Sequence, residues 1–389
     1  MITQTLAMLV DAYRELNARK LFWITLLLSG LVVGVFGAIG LTPDGVTFLG
    51  LRLGFVPLNS DIIPRDAFYL SIFTTLGIGI WLTWIAAILA LVSTASIVPE
   101  MISGGSIETM LSKPIGRVRL FLTKYCMALL FVTLQVGLFT TASFAVIGIR
   151  GGVWEPGLFL AIPIVVLFFS YLYCVCALLG LITRSTIAAL LLTLLFWAML
   201  FVVNMGDALL VNFREISQLY VEQRTERIER AERNTIKMIR DDLEAAGTPD
   251  ENYQPSQDEL EAKNPFLASN REKLAEELED LRQLRLWAGA VFTVKTILPK
   301  TGETSALLER HLINPEDLNQ REEEPAEPSD AEVAFTAMQT DIKPDQAEIQ
   351  RRTQEAFRER SVGWIIGTSL LFEGVVLALC CLIFKRRDF

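Results

Sequence analysis

The sequence predicts an all-α polytopic membrane protein: six transmembrane helices, an N-terminal amphipathic interfacial helix, and a helical, coiled-coil-like extracytoplasmic insert. Three observations predict it. Apolar residues make up 52% of the 389, mean hydropathy is +0.41 and only 20% of residues are charged. That leaves too little polar surface for a soluble chain of this length. Six runs reach the roughly 20 mostly apolar residues needed to cross a hydrocarbon core. Charge is also segregated: residues 209–361 carry 21 Lys/Arg and 33 Asp/Glu, and the remainder 14 and 11. One acidic, water-soluble insert therefore interrupts an apolar chain. Its acidity argues against nucleic acid as a partner, because phosphate binding needs clustered cations.

Residues 1–20 place Ile2, Leu6, Leu9, Val10, Tyr13 and Leu16 at helical spacing, with Gln4, Asp11, Arg14 and Glu15 between them. This pattern predicts a cytoplasmic amphipathic helix lying on the inner membrane surface. Spans one to five follow within residues 21–206: Leu21–Leu41, Ala67–Val98, Leu120–Ile149, Gly157–Ile182 and Ser185–Gly206. Only Thr183-Arg184 separates the fourth from the fifth, which requires a tight helical hairpin. The sixth span, Val362–Phe384, leads into a basic tail within residues 362–389. Arg14, Arg19, Lys20, Lys113, Arg117, Arg119, Lys124, Arg184, Lys385, Arg386 and Arg387 fall on one side of these spans. Only Arg52, Arg65 and Arg150 fall in the short loops of the other. The positive-inside bias makes the first side cytoplasmic, with both termini inside and residues 207–361 outside. The expected location is the cytoplasmic membrane.

Several chemistries find no support. Cys126, Cys174, Cys176, Cys380 and Cys381 lie in apolar runs and read as buried thiols. The one histidine, His311, reads as a surface or cap residue. No metal set is expected. The sequence has no G-x-x-x-x-G-K-[ST] loop, no G-x-S-x-G elbow and no H-E-x-x-H helix. An enzyme is not expected, and neither is a cofactor bound by this chain.

The most informative stretch is the loop at residues 99–119, between the second and third spans. Pro99 weakens the helix, and Ser103-Gly104-Gly105 turns the chain. Ser106 caps a short helix over 103–111 with Ile107, Met110 and Leu111 on one face, and Lys113-Pro114 stops it. Glu100, Gly105-Ser106, Met110-Leu111-Ser112-Lys113-Pro114 and Arg117 resemble the loop of permease subunits of type-two ABC exporters. There a glutamate, a glycine with a small residue, Leu-Leu-Ser-x-Pro and a basic residue follow in that order. The tail Phe384–Phe389 is similar to that family's as well, and the resemblance covers residues 1–206 and 362–389. Met101 departs from it, since many members carry arginine after the glutamate.

The resemblance implies a coupling helix seated in a separate ABC ATPase subunit, which would hold ATP and Mg. It also implies a second permease copy, most simply in a homodimer. Glu100, Gly105, Ile107, Met110, Leu111, Pro114 and Arg117 are the coupling residues it names. An ordinary basic anchoring loop would account for the cations, but not for the glycine turn and the embedded apolar helix.

Two polar residues stand inside spans. Glu373, near the middle of the sixth, costs at least about 2.5 kcal/mol if ionised and facing lipid. It is expected to be protonated, paired or turned to a polar interior, as a gating contact or as a helix–helix hydrogen bond. Gln135 in the third span is expected to hydrogen-bond a neighbouring helix.

In the insert, residues 212–290 read as a helical hairpin, with 248–268 as its loop and Ser269-x-x-Glu272 capping its second helix. Residues 291–313 resemble the outer re-entrant helices of such permeases. The acidic, proline-bearing 319–332 predicts disorder, and a last amphipathic helix is expected over Asp345–Arg360.

The functional expectation is an ATP-driven exporter permease, or a transmitter of force to an extracytoplasmic partner. The alternative is a non-transporting membrane scaffold whose insert recruits an extracytoplasmic protein. Membrane lipid is a partner on either reading.

Overall fold

The computed structural model describes residues 20–52, 64–103, 116–152, 154–247, 253–312 and 345–386. Residues 1–19, the 103–111 helix beyond Ser103, and 319–332 lie outside the described residues. The chain divides into two compact units: Met1–Val202 with Lys295–Glu324 and Ser361–Phe389, and Val203–Val294 with Pro325–Arg360.

The first unit holds six helices long and apolar enough to cross a membrane. The first is α1 (Lys20–Ala38). The second joins α2 (Arg65–Ile72), a π-helical run (Phe73–Ala86) and α3 (Ala87–Thr94). The third is α5 (Arg117–Gly151). The fourth is a 3₁₀ turn (Pro156–Leu160) leading into α6 (Ala161–Thr183). The fifth begins α7 (Thr186–Ala245), and the sixth is α12 (Val362–Arg386).

The fourth span is the centre: 72% of its apolar window is buried, against 22% for the fifth. The third and sixth spans pack directly on it, and the first packs on the third. Phe121, Phe131, Phe139, Phe168, Phe169, Tyr171 and Tyr173 fill the space between.

The all-α expectation needs one correction. Residues 39–41, read as the end of the first span, turn into a three-stranded antiparallel sheet: β1 (Ile39–Thr42), β2 (Gly45–Phe48) and β3 (Leu51–Arg52). Thr42-Pro43-Asp44-Gly45 makes the first hairpin, with Leu41 paired to Val46 on the buried face. The second hairpin turns through Leu49 (φ 52) and Gly50 (φ 83). Two left-handed residues in succession give the turn whose twist matches paired strands.

The second span ends at a turn over Ala95-Ser96, and α4 (Ile97–Ser103) follows. Pro99, read as weakening the span, sits in the first turn of α4, where a missing N–H costs nothing. α4 packs on α6 because Gly180 admits it: a Cβ there would lie 3.2 Å from the Pro99 ring. At the start of α7, Arg184 takes the left-handed cap (φ 54), and its N–H bonds the Gly180 carbonyl at 3.1 Å. That single residue lets the chain turn between the fourth and fifth spans.

The second unit is built from the far part of α7, α8 (Gln257–Lys263), α9 (Pro265–Ile297) up to Val294, and α11 (Gln346–Arg358). The elements of the insert differ from those expected in three places. No break separates the fifth span from the helix read from 212; α7 is one helix of 60 residues. It ends at Gly247 (φ 78), as a glycine C-cap allows. The stretch 248–268, read as a loop, contains α8, opened by a capping box between Ser256 and Glu259. α9 starts at Pro265 rather than at Ser269. Proline is preorganised for the first helical position, and the Asn264 side chain accepts from Phe266 N–H at 3.3 Å.

This unit has little apolar core, with Ile228, Leu260 and Leu267 at its centre. On α9, Leu281 is buried while Leu278 stays 48% exposed. Charge does more of the joining. Arg224 forks onto Glu277 (2.6 and 2.8 Å) and reaches Asn270 at 3.0 Å. Arg271 bridges Glu232 and Glu261. Arg360, just after α11, grips Asp207 of α7 at 2.7 and 3.1 Å across 153 residues of chain, and both are nearly buried.

Removing one half of a buried pair leaves a desolvated charge, so Asp207→Ala is expected to destabilise this unit by about 3 kcal/mol. Asp207→Ala/Arg360→Met is expected to recover most of that loss. Thermal unfolding of the purified chain checks both; equal stability of the single and double variants would make the pair neutral.

Candidate functional site

Glu373 lies on α12 and is 8% exposed. Tyr125 of α5 reaches its Oε1 at 2.7 Å, and Ser170 of α6 reaches its Oε2 at 2.8 Å. Sequence reading found the acid but not these two hydroxyls. Tyrosine and serine are ordinary in apolar helices, and only packing brings residues 203 and 248 positions away onto one carboxyl. Tyr125 is held in place by stacking on Tyr173 at 5.3 Å, which stacks in turn on Phe169 at 5.6 Å.

Each hydroxyl also has a backbone acceptor: the Ser170 carbonyl for Tyr125 at 3.1 Å, and the Leu167 carbonyl for Ser170 at 2.9 Å. A hydroxyl carries one hydrogen. Facing a carboxylate, both hydroxyls turn to Glu373. Facing the acid form, Ser170 accepts the carboxyl hydrogen and gives its own to Leu167. The network is satisfied in either arrangement, and it ties the three spans together.

One helical turn away on α12, Ser369 accepts from the Lys300 backbone N–H at 3.0 Å and donates to the Ile365 carbonyl at 2.7 Å. Lys300 stands in the turn between α9 and α10 (Thr301–Leu312). The segment 291–313, expected to be re-entrant-like, thus comprises the end of α9, this turn and α10. Pro299 and Lys300 separate the helices, and α10 packs on the second, fourth and sixth spans. Thr301, Thr304, Leu307 and Leu308 are its buried face, while His311 is exposed in its last turn.

Lys300 is 0% exposed. Its Nζ donates to the Thr296 and Leu298 carbonyls at 3.0 and 3.1 Å and lies 4.6 Å from the Trp364 ring centroid. It therefore caps the C-terminus of α9, where carbonyls have no helical partner. Beside it Lys295 and Glu303 form a buried ion pair. Burial lowers the Lys300 amine to about 8, with Glu303 opposing that shift and Lys295 adding to it.

The other expected site residues are dispersed. Glu100 is exposed on α4, whereas Met101 beside it is buried at 3% in the apolar core. Arg117 opens α5 and donates to the Lys385 carbonyl at 3.4 Å, touching the end of the sixth span. Gly105, Ile107, Met110, Leu111 and Pro114 lie outside the described residues. Gln135 is buried, and its Nε2 has no hydrogen-bond partner. Among the described residues no group of three or more His, Cys, Asp or Glu could hold a metal ion.

No family model, no curated protein and no solved structure matches the chain.

Glu373→Gln is expected to leave stability unchanged, because the amide oxygen still accepts from Tyr125 and its NH₂ gives to Ser170. Glu373→Leu removes both bonds and is expected to cost roughly 1–3 kcal/mol. Unfolding temperatures in detergent compare the two, and a leucine variant as stable as the glutamine one would leave the cluster without this role.

The lowered Lys300 amine makes a second expectation. Its folded value, about 8, lies below the ordinary 10.5. The unfolded chain therefore binds more protons across that window, and stability rises with pH from about 8 towards 10.5. Lys300→Met is expected to flatten this slope in thermal unfolding measured from pH 7.5 to 10. An identical slope in the variant would mean another group causes it.

Proposed function

We propose that this chain is the membrane subunit of an ABC-type exporter, driven by a separate ATPase that docks on the loop between the second and third spans. The observation that carries the reading is that loop. Glu100, Gly105, Met110-Leu111-Ser112-Lys113-Pro114 and Arg117 combine a glycine turn, a short apolar helix and a basic return in the order seen in type-two exporter permeases. Six membrane-length helices are compatible with the reading. So is the packing of α4 on α6, which carries the chain towards the loop from a firm base. In this reading the chain lies in the cytoplasmic membrane, the basic side and both termini face the cytoplasm, and residues 207–361 are extracytoplasmic. Two copies of the chain work with two ATPases, which hold ATP and Mg. Closure of the ATPases moves the 103–111 helices, and the spans move between inward- and outward-facing states. The helical insert, with its coiled-coil-like stretch, offers a surface to cargo or to an extracytoplasmic protein that receives force.

A scaffold reading uses the insert alone, with the spans as an anchor. Ion pairs across helices α7, α8, α9 and α11 favour an insert of defined shape, which either reading can use. The two differ in whether an ATPase is held.

The sequence predicts one apolar helix face from Ile107, Met110 and Leu111 on the cytoplasmic side, and such a patch calls for a partner surface. Met110→Ala/Leu111→Ala is expected to remove about 2–4 kcal/mol of docking energy. An ATPase that co-purifies with the wild-type chain from its own cells should then be lost or uncoupled, with the chain still inserted. A double variant that keeps its ATPase and full function would reduce the loop to an anchor.

A further inference from the structure

A small cavity lies within the first unit, between the second, third and fourth spans. Leu82, Ala86, Ala87 and Ala90 form one wall, Val132 and Val136 another, and Val165 with Phe169 the third. The one polar side chain lining it is Gln135, 3% exposed, whose Nε2 has no hydrogen-bond partner. A buried amide donor without an acceptor keeps an uncompensated desolvation cost. Such a group in an apolar wall is either an unrelieved cost or a place for an acceptor that arrives from outside the chain.

The lining specifies that acceptor. None of the lining residues is charged, so nothing here would stabilise an ionic headgroup. A lone water is a poor occupant, because a buried water needs two to four polar partners and the lining offers one. An apolar chain carrying a single uncharged oxygen acceptor matches both the donor and the walls. Three alanines on the second span leave the room. Farther along the third span Thr140 Oγ1 and Ser143 Oγ are also buried without partners, so donors continue along the same helix.

The cavity measures about 10 Å³, room for one small group and not for a chain. Its alanine wall begins where the π-helical run Phe73–Ala86 returns to α-helix at Ala87. Such wide turns are uncommon and recur at functional sites. A change of register there would move Ala86, Ala87 and Ala90 together.

We propose that this cavity is the contracted form of a binding site for a neutral amphiphile, an apolar chain whose ester, amide or hydroxyl oxygen accepts from Gln135. The site rests on the transport reading only for its use: as the path of a transported amphiphile it names the substrate class, and as a lipid seat it stands without transport. Both sources share this chemistry.

The purified chain in nanodiscs, without any ATPase, is photolabelled in two arms. One uses a monoacylglycerol with a diazirine in its acyl chain, and the other a phosphatidylcholine with the same diazirine as a bilayer component. The expected result is labelling of the lining side chains themselves, Leu82, Ala86, Ala90, Val132, Val136 or Phe169, assigned to single residues by fragmentation. Excess plain monoacylglycerol should remove it. Gln135→Leu should lower it at least fivefold, and Ala87→Phe should abolish it. Labelling of the lining residues by phosphatidylcholine that Gln135→Leu lowers to the same extent assigns the site to the acyl ester of a bilayer lipid, whereas phosphatidylcholine labelling that neither Gln135→Leu nor monoacylglycerol lowers is bulk contact and overturns the proposal. Label confined to the outward-facing Leu76, Ile80 and Trp84 in the wild-type chain overturns the proposal, whether or not the variants fold. So does label that both folded variants retain in full. Because no ATPase is present, loss of this site leaves the coupling loop standing, and loss of coupling leaves the site.

Discussion

A carboxyl group among apolar helices must find its hydrogen bonds inside the protein, since hydrocarbon supplies none. Glu373 meets that constraint through Tyr125 and Ser170, and so ties the sixth span to the third and the fourth. The fourth span is the most buried of the six because it receives both neighbours. The aromatic side chains Tyr125, Tyr173 and Phe169 stack in sequence beside the acid, which places the phenol without a further polar contact. One turn along α12, Ser369 extends the polar line to Lys300 and the turn before α10.

The two units are held together internally by different forces. In the first, large apolar side chains interdigitate, and polar side chains return hydrogen bonds to their own helix, as Thr25, Ser93, Thr94 and Thr193 do. In the second, only a few side chains are buried, and arginine forks span the gaps between helices. Arginine suits this task because its planar donors grip a carboxylate at two points. Asp207 and Arg360 close the unit where its chain begins and ends. An insert organised in this way depends on charge pairing more than on burial, which accounts for its acidic yet arginine-rich composition.

Unpaired donors carry a different message from paired ones. Gln135 lies ten residues from Tyr125 on the same helix. Tyr125 is fully engaged, and the Gln135 amide nitrogen is not. The third span thus presents one side chain to internal structure and another to an apolar cavity. The acid cluster and this cavity both border the third and fourth spans, in the same part of the first unit.

The sequence by itself determined the six membrane-length helices, because a run of some 20 apolar residues has few alternatives. It also determined the segregated acidic insert, and it singled out Glu373 and Gln135, since polar residues inside such runs are conspicuous. Local chemistry that competes with periodicity was harder to read. The turn residues of 42–50 override the end of the first apolar run, and the Ser256–Glu259 capping box hides a short helix inside a polar stretch. The absence of any breaker after Gly206 lets α7 continue where a boundary had been drawn. What only the tertiary structure decided is which distant residues meet. Tyr125, Ser170 and Glu373 converge, Lys300 reaches Ser369, Asp207 reaches Arg360, and Gln135 faces a cavity instead of a partner. Hydrogen bonds and ion pairs between helices depend on rotation and depth of packing, and neither is written in the spacing of residues along one helix.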